Sequence, residues 1–168
     1  MPVAPASIRL IAFDIDGTLT DADTWWGGED RGWLQRYSVR DGEALLRLKQ
    51  SHYVLPLSRN RTASAAERMA VLEIDGRWLG VRDKVGALRQ ICAEYQVSRE
   101  EICFVGDGPD DAAVFAAVGL GYAVADAHPD ALAAAHEVLD SAGGHRVIEE
   151  VELRLSGRWS TGGRRNHP

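Results

Sequence analysis

Short apolar runs and helix-period segments take turns along nearly the whole chain. Residues 8–13 (IRLIAF) form a short, mainly apolar run that stops abruptly at DIDGT, the pattern of a buried strand feeding a glycine-containing loop. Residues 53–57 repeat that pattern and end at Ser58. Between them, Asp41 fits as the N-cap of a helix with apolar positions at Ala44, Leu45 and Leu48. An Ala-rich helix over 63–72 follows, then an amphipathic helix over 83–95 with Val85, Leu88, Ile91 and Cys92 on one face. Ser98 and Glu101 form a capping-box pattern ahead of a strand at 102–105, which runs into GDGPDD. The remaining pattern predicts a helix over 112–118, a strand over 120–124, a helix opened by Pro129, a weak strand near Val138 and a last helix over 146–155.

Alternating strands and helices predict an α/β fold, a Rossmann-like, doubly wound parallel sheet with ligands at the carboxyl ends of its strands. Residues 22–39 break the alternation. Three Trp and one Tyr surround a GGEDRG turn cluster there, which predicts a β-hairpin inserted after the first strand. No internal repeat is visible, so residues 1–155 are expected to form one domain, with 156–168 (SGRWSTGGRRNHP) as a flexible tail.

Composition narrows the partners. The chain has 168 residues, 45% hydrophobic and 26% charged, enough for one compact domain. Nineteen Lys and Arg against 25 Asp and Glu leave a net charge of −6, which offers no general attraction to nucleic acid or anionic lipid. No apolar run approaches the ~18 residues of a membrane span, and the N-terminal segment lacks the pattern of a secretion signal. Cys92 and Cys103 lie in apolar contexts, as small buried thiols of a reducing compartment do. A cytoplasmic protein is expected.

Candidate chemistry lies at the strand ends. Asp14, Asp16, Asp107, Asp110 and Asp111 all follow predicted strands, and a doubly wound sheet can bring them to one rim. Clustered carboxylates repel and raise one another's pKa, so the group calls for a hard divalent cation, Mg²⁺ above all. Lys84, opening its helix, and the hydroxyl of Ser58 would complete a site suited to a bound phosphate. The DxDGT string arises by chance in only about one in several hundred chains of this length. Taken singly, GDGPDD is an ordinary turn composition and Lys84 an ordinary surface residue; their order and placement give them weight.

With DIDGTLT, Ser58, Lys84 and GDGPDD in this order, the chain resembles the haloacid dehalogenase superfamily of aspartate-dependent phosphatases. YSVRDGEALLRLK, GVRDKVGALRQI, VGDGPDDAAVF and GLGYAVADAHPDA extend the likeness to its capless branch, which hydrolyses 3-deoxy-D-manno-octulosonate 8-phosphate and related nonulosonate 9-phosphates. The resemblance implies that Asp14 is the nucleophile forming an aspartyl-phosphate and Asp16 the general acid and base. It also implies that Asp14, the backbone carbonyl of Asp16 and Asp107 hold Mg²⁺, while Ser58 and Lys84 grip the phosphoryl oxygens. Arg59, Arg61 and Arg68 become candidates for binding the acidic sugar. One of Asp110 and Asp111 would orient Lys84 or a metal-bound water, and the other could be a helix cap.

The likeness implies further that the hairpin Trp25, Trp26 and Trp33 pack subunits into a homotetramer. Arg40 and Asp41 would then lie near the active site, unless Asp41 is only a cap, and Gly143, Gly144, His145 and Arg146 would close over substrate. His128 reads as a turn residue. One departure stands out: Ser58-Arg59-Asn60 replaces the usual Ser-Gly-Arg, which removes a flexible Gly and moves or deletes the Arg. Gly108 and Pro109 stand where the family often has Asp and a hydrophobe. Thr18 replaces an often apolar residue of this branch. Competing readings are a phosphate-accepting signalling receiver, a non-catalytic assembly protein on the same fold, and a phosphatase for another small phosphorylated substrate.

Overall fold

The computed structural model describes residues 7–159. Its core is a five-stranded, wholly parallel sheet made of β1 (Leu10–Phe13), β4 (Tyr53–Pro56), β5 (Ile102–Gly106), β6 (Leu120–Ala123) and β7 (Glu137–Val138), in the spatial order β4-β1-β5-β6-β7. The first strand is central. β1 pairs on one side with β4, Ile11 opposite Val54, and on the other with β5, Ile11 opposite Cys103. The residues of β1 and β5 are buried throughout, which is why each reads as an unbroken apolar run rather than an alternating one.

The chain leaves β1 toward β4 through α1 (Val39–Leu48) and returns past it to β5 through α2 (Ala63–Val71) and α3 (Lys84–Tyr95). It then steps outward through α4 (Asp111–Phe115) and α5 (Pro129–Ala134) before closing with α6 (Val147–Leu155). Right-handed crossovers place α1 and α6 in one layer, where they pack together, and α3, α4 and α5 in the other. The change of direction around β1 opens a crevice at its carboxyl end. Asp14 is the first residue beyond that end.

The hairpin is present as β2 (Trp25–Trp26) paired antiparallel with β3 (Trp33–Leu34), Trp26 opposite Trp33. An ion pair between Arg36 and Asp21 clasps its base. Asp41 departs from expectation. Ser38 caps α1, accepting from the Asp41 amide at 3.3 Å. The Asp41 carboxylate is buried and instead accepts from the amides of Ile148 and Glu149, at 2.8 and 3.1 Å. It thus caps α6 across the layer, and Arg40 pairs with Glu149 at 3.7 Å. Both residues stitch α1 to α6.

Two boundaries also move. The helix expected over 112–118 ends at Phe115, and Gly119 lies so close to the Glu100 carbonyl that a Cβ there would come within 1.9 Å. The expected tail begins with ordered residues: Trp159 donates to Asp140 Oδ2 at 3.1 Å beneath the Arg154 guanidinium. Residues 160–168 lie outside the described part. No helix among the described residues is long and apolar enough to cross a membrane.

Candidate active site

The loop after β1 is a tight turn. Gly17 takes φ +79°, and the Thr20 amide closes back on the Ile15 carbonyl at 3.0 Å. A Cβ on Gly17 would sit 2.1 Å from Asp107 Oδ2, so its lack of a side chain is what lets the two acidic loops meet. Asp14 Oδ1 accepts from the Ile15 amide at 2.7 Å, and Thr18 donates to Asp107 Oδ1 at 3.1 Å. Carboxylate oxygens of Asp14, Asp107 and Asp111 lie within 4.8 Å of one another.

Lys84 enters this cluster from the first turn of α3, whose N-cap is Asp83. Its side chain is almost wholly buried, and Nζ lies 2.9 Å from Asp14 Oδ2 and 2.6 Å from Asp111 Oδ1. Burial alone would lower its pKa, but the charges of Asp14 and Asp111 outweigh that and raise it. Asp111 does two jobs. While Oδ1 holds Lys84, Oδ2 accepts from the amides of Asp107 and Gly108 at 2.9 and 3.0 Å, fixing the loop after β5. Asp110 occupies the N-cap position of α4 without making a side-chain cap and is 3.5 Å from Lys84. Of the two, Asp111 is therefore the one that orients Lys84.

Burial, with the charges of Asp14 and Asp111 added, pushes the Asp107 carboxyl up to about 7. Among the described residues both oxygens of Asp14 and of Asp111 are engaged, whereas Asp107 accepts only from Thr18 at Oδ1 and keeps Oδ2 without a hydrogen bond. The pKa gives a sign for stability. The Asp107 carboxyl titrates near 4 in an unfolded chain and near 7 here, so the metal-free protein takes up a proton on folding between those values. Its contribution is fully present below about pH 4 and is lost as pH rises through 7. A Mg²⁺ ion bound at this carboxylate would compete with that proton. At about 100 times its dissociation constant, Mg²⁺ should raise Tm by about 5–10 °C at pH 8 and far less at pH 5. Thermal melts with and without Mg²⁺ check this; equal shifts at both values would be the contrary result.

Ser58 is buried just past β4, on the same rim, with Oγ accepting from the Asn60 amide at 3.1 Å. Asn60 turns inward and donates to Asp16 Oδ1 at 2.8 Å, while Arg59 and Arg61 on either side are exposed. Arg68 is not brought to the carboxylates. Its guanidinium donates to the Ser38 carbonyl at 3.3 Å, lies 5.7 Å from the Tyr37 ring centre and lines a recess of about 500 Å³ beside the hairpin. Gly143 and Gly144, expected to close over substrate, are packed beneath the acidic loop of their own chain. A Cβ on Gly143 would meet the Gly17 carbonyl at 2.1 Å, and the Gly144 amide donates to the Thr18 carbonyl at 2.9 Å. They brace the loop. The His128 ring caps α5, and its backbone amide donates to the Asp107 carbonyl at 2.8 Å.

Comparison with known proteins places the chain in a family. Residues 81–150 match the family model of haloacid dehalogenase-like hydrolases. The 3-deoxy-D-manno-octulosonate 8-phosphate phosphatase KdsC of Yersinia pestis is 35% identical over 147 residues, 87% of this chain and 78% of that protein. The chain belongs to the haloacid dehalogenase-like hydrolases. Within this family it stands in the capless branch of the octulosonate phosphatases, and it is a phosphatase. The crystal structure of the Yersinia pestis enzyme superposes with a TM-score of 0.83 at 31% identity, covering 92% of this chain and 85% of that one. The cobalt-bound form of the Haemophilus influenzae deoxy-D-mannose-octulosonate 8-phosphate phosphatase gives 0.84 at 28% identity, covering 93% and 91%. Membership in a hydrolase family sets aside the signalling-receiver and non-catalytic readings. That neighbour is a cobalt-bound form, and this chain brings three carboxylates, Asp14, Asp107 and Asp111, together.

Sequence reasoning missed two residues that the structure places here. Gln35, the first residue after β3 of the hairpin, donates to Asp16 Oδ1. Asp126 accepts from the Gly143 amide at 2.8 Å and so helps hold the brace. Neither carries a local motif; each is recognisable only once the chain is folded.

Proposed function

We propose that this phosphatase hydrolyses an acidic sugar phosphate, 3-deoxy-D-manno-octulosonate 8-phosphate or a related nonulosonate 9-phosphate, through an aspartyl-phosphate on Asp14. The observation that carries the reading is Lys84, buried and held between Asp14 and Asp111 at the crevice beside β1. The names of the relatives supply the substrate class.

An Asp14 carboxylate oxygen attacks phosphorus in line with the sugar oxygen; the new O–P bond forms as the sugar O–P bond breaks. Asp16 gives its proton to the departing alkoxide. It then takes one from the water that attacks phosphorus and releases phosphate from Asp14. Lys84 and Ser58 hold the equatorial phosphoryl oxygens and offset their charge. Asp14, the Asp16 carbonyl and Asp107 would hold Mg²⁺, which when bound supplies the positive charge that lets an anionic nucleophile approach an anionic phosphate. Arg59 and Arg61, exposed on the loop carrying Ser58, are the cations we assign to the sugar carboxylate.

Phosphate release from a panel of sugar phosphates, with Mg²⁺ and with chelator, tests the reading. Octulosonate or nonulosonate phosphates should give the highest kcat/KM, and chelation should abolish turnover. A preference for neutral sugar phosphates would overturn the substrate assignment.

We also assign a homotetrameric assembly to the hairpin. Trp25, Trp26 and Trp33 are 47%, 54% and 56% exposed, large apolar area for one small hairpin to leave in water. Replacing Trp25 and Trp26 by Ser should shift the protein toward monomer in light scattering, and kcat/KM for a sugar phosphate should fall more than that for p-nitrophenyl phosphate. A parent protein that is already a fully active monomer would refute this. The free thiols of Cys92 and Cys103 suit the cytoplasm, where we place the enzyme.

A further inference from the structure

Two segments that are distant in sequence from each other converge on one oxygen of Asp16. Asn60 Nδ2, from the loop after β4, donates to Oδ1 at 2.8 Å, and Gln35 Nε2, from the hairpin, donates to the same atom. The far ends of the two amides fix which way round they sit. Asn60 Oδ1 accepts from the Thr62 backbone amide at 2.8 Å and from the Thr62 hydroxyl at 2.8 Å. A backbone N–H can only donate, so the oxygen of Asn60 must face Thr62 and its NH₂ must face Asp16. Gln35 Oε1 accepts from Asn60 Nδ2 at 3.1 Å and from the Tyr37 hydroxyl at 3.2 Å, which leaves its own NH₂ for the carboxylate. Among the described residues no hydrogen bond reaches Asp16 Oδ2.

We propose that Asn60 and Gln35 are positioning residues: they pin the Asp16 carboxylate by Oδ1 and leave Oδ2 free to carry the proton in both half-reactions. The proposal rests on the reading of Asp16 as general acid and base. Asp16 is an exposed side chain on a turn, and an unrestrained carboxylate there would sample several rotamers. Proton transfer needs one of them, with an oxygen within hydrogen-bond reach of the leaving alkoxide and then of the attacking water. Asn60 is only 7% exposed and is itself anchored to backbone, so it is a rigid support. Gln35 makes the same carboxylate sensitive to the seating of the hairpin. An acid and base held on one oxygen also explains why a buried Asn is accommodated beside the exposed Arg59 and Arg61.

The decisive variant is Asn60→Asp. It keeps an oxygen for the Thr62 amide and replaces the donor to Asp16 and Gln35 with a carboxylate oxygen, whose added charge the uncharged Gln35→Ala controls for. Gln35→Ala removes the second donor and stands as an independent variant should the first fold poorly. With p-nitrophenyl phosphate, whose leaving group needs no proton, phosphoryl transfer to Asp14 should proceed at the parent rate. Breakdown of the aspartyl-phosphate, which needs the base, should slow about 10- to 100-fold, so rapid mixing should reveal a burst approaching one p-nitrophenolate per subunit. With the sugar phosphate most active in the panel, kcat should fall about 10- to 100-fold while KM stays within about twofold. Gln35→Ala should move in the same direction by less. In an Asp16→Asn background, Asn60→Asp should change the breakdown rate less than about twofold.

Equal losses on both substrates with no burst, in both variants, would overturn the proposal, as would effects additive with Asp16→Asn. Asp16→Asn also separates the two levels of the argument. If that variant itself shows neither burst nor leaving-group dependence, the acid–base reading falls and the proposal with it. If it shows both while Asn60→Asp and Gln35→Ala show neither, only the positioning role is lost.

Discussion

Asp14→Asn is expected to abolish turnover, by about 10⁴-fold or more in kcat, while leaving the fold intact. The amide is not a nucleophile, and it takes one negative charge from the cation site. Part of what Asp14 contributes structurally survives the change. An amide oxygen can still accept from the Ile15 N–H, now at 2.7 Å from Oδ1; the ion pair of Lys84 with Oδ2 at 2.9 Å is lost, and Lys84 keeps its 2.6 Å contact with Asp111. Removing one of three crowded carboxylates also relieves the repulsion that helps push Asp107 up. Tm in the absence of metal should therefore stay within a few degrees of the parent, while the rise in Tm produced by Mg²⁺ at pH 8 should shrink. Phosphate release and paired thermal melts read both effects. More than a trace of Mg²⁺-dependent activity would refute Asp14 as the nucleophile; a collapse of metal-free stability would show that its role is structural.

What could be read from the sequence was whatever one short segment specifies by itself. The apolar run before DIDGT predicts a buried strand because a parallel strand is covered on both faces, and the structure buries all of Leu10–Phe13. GGEDRG between aromatic pairs predicts a hairpin for equally local reasons, and β2 and β3 lie where it said. The acidic loops were legible as a group because a doubly wound sheet places strand ends on a common rim. What was illegible depended on partners far along the chain. Asp41 has the local look of a cap for its own helix, yet its oxygen serves amides more than 100 positions away. Arg68 reads as a free cation until α1 and Tyr37 claim it. Asp110 and Asp111 are neighbours of identical type, and only the position of Lys84 distinguishes them. Gly143 and Gly144 look like a flexible closing segment; the backbone of the acidic loop, pressed against them, turns them into spacers. Gln35 had no signal at all, because one Gln in a polar hairpin acquires meaning only from the carboxylate it meets.

The other large effect is expected from Lys84→Met. Methionine fills much the same volume, so the change is chiefly the loss of one buried charge. Lys84 is the cation lying within 4 Å of Asp14, Asp110 and Asp111, and Asp111 has no exposed surface through which water could take over. Leaving a buried partner uncompensated costs about 3–5 kcal/mol, which for a chain of this length lowers Tm by about 6–20 °C. The loss should depend on pH in a definite direction. Burial and the charge of Asp14 already raise the Asp111 carboxyl, opposed by Lys84; without the lysine it rises further. At pH 5 Asp107 and Asp111 can shed their charge by protonation, whereas at pH 8 they must be ionised together or hold protons against the solvent. The destabilisation relative to the parent should therefore be larger at pH 8 than at pH 5 when metal is absent. Activity should fall by about 10²–10³ as well, because among the described residues no other buried cation at this rim offsets the phosphoryl charge. Thermal melts at both pH values and phosphate-release kinetics at saturating Mg²⁺ measure the two losses separately. A variant as stable as the parent at pH 8 would mean that the carboxylates repel too weakly to need Lys84, and the electrostatic account of the site would fail with it.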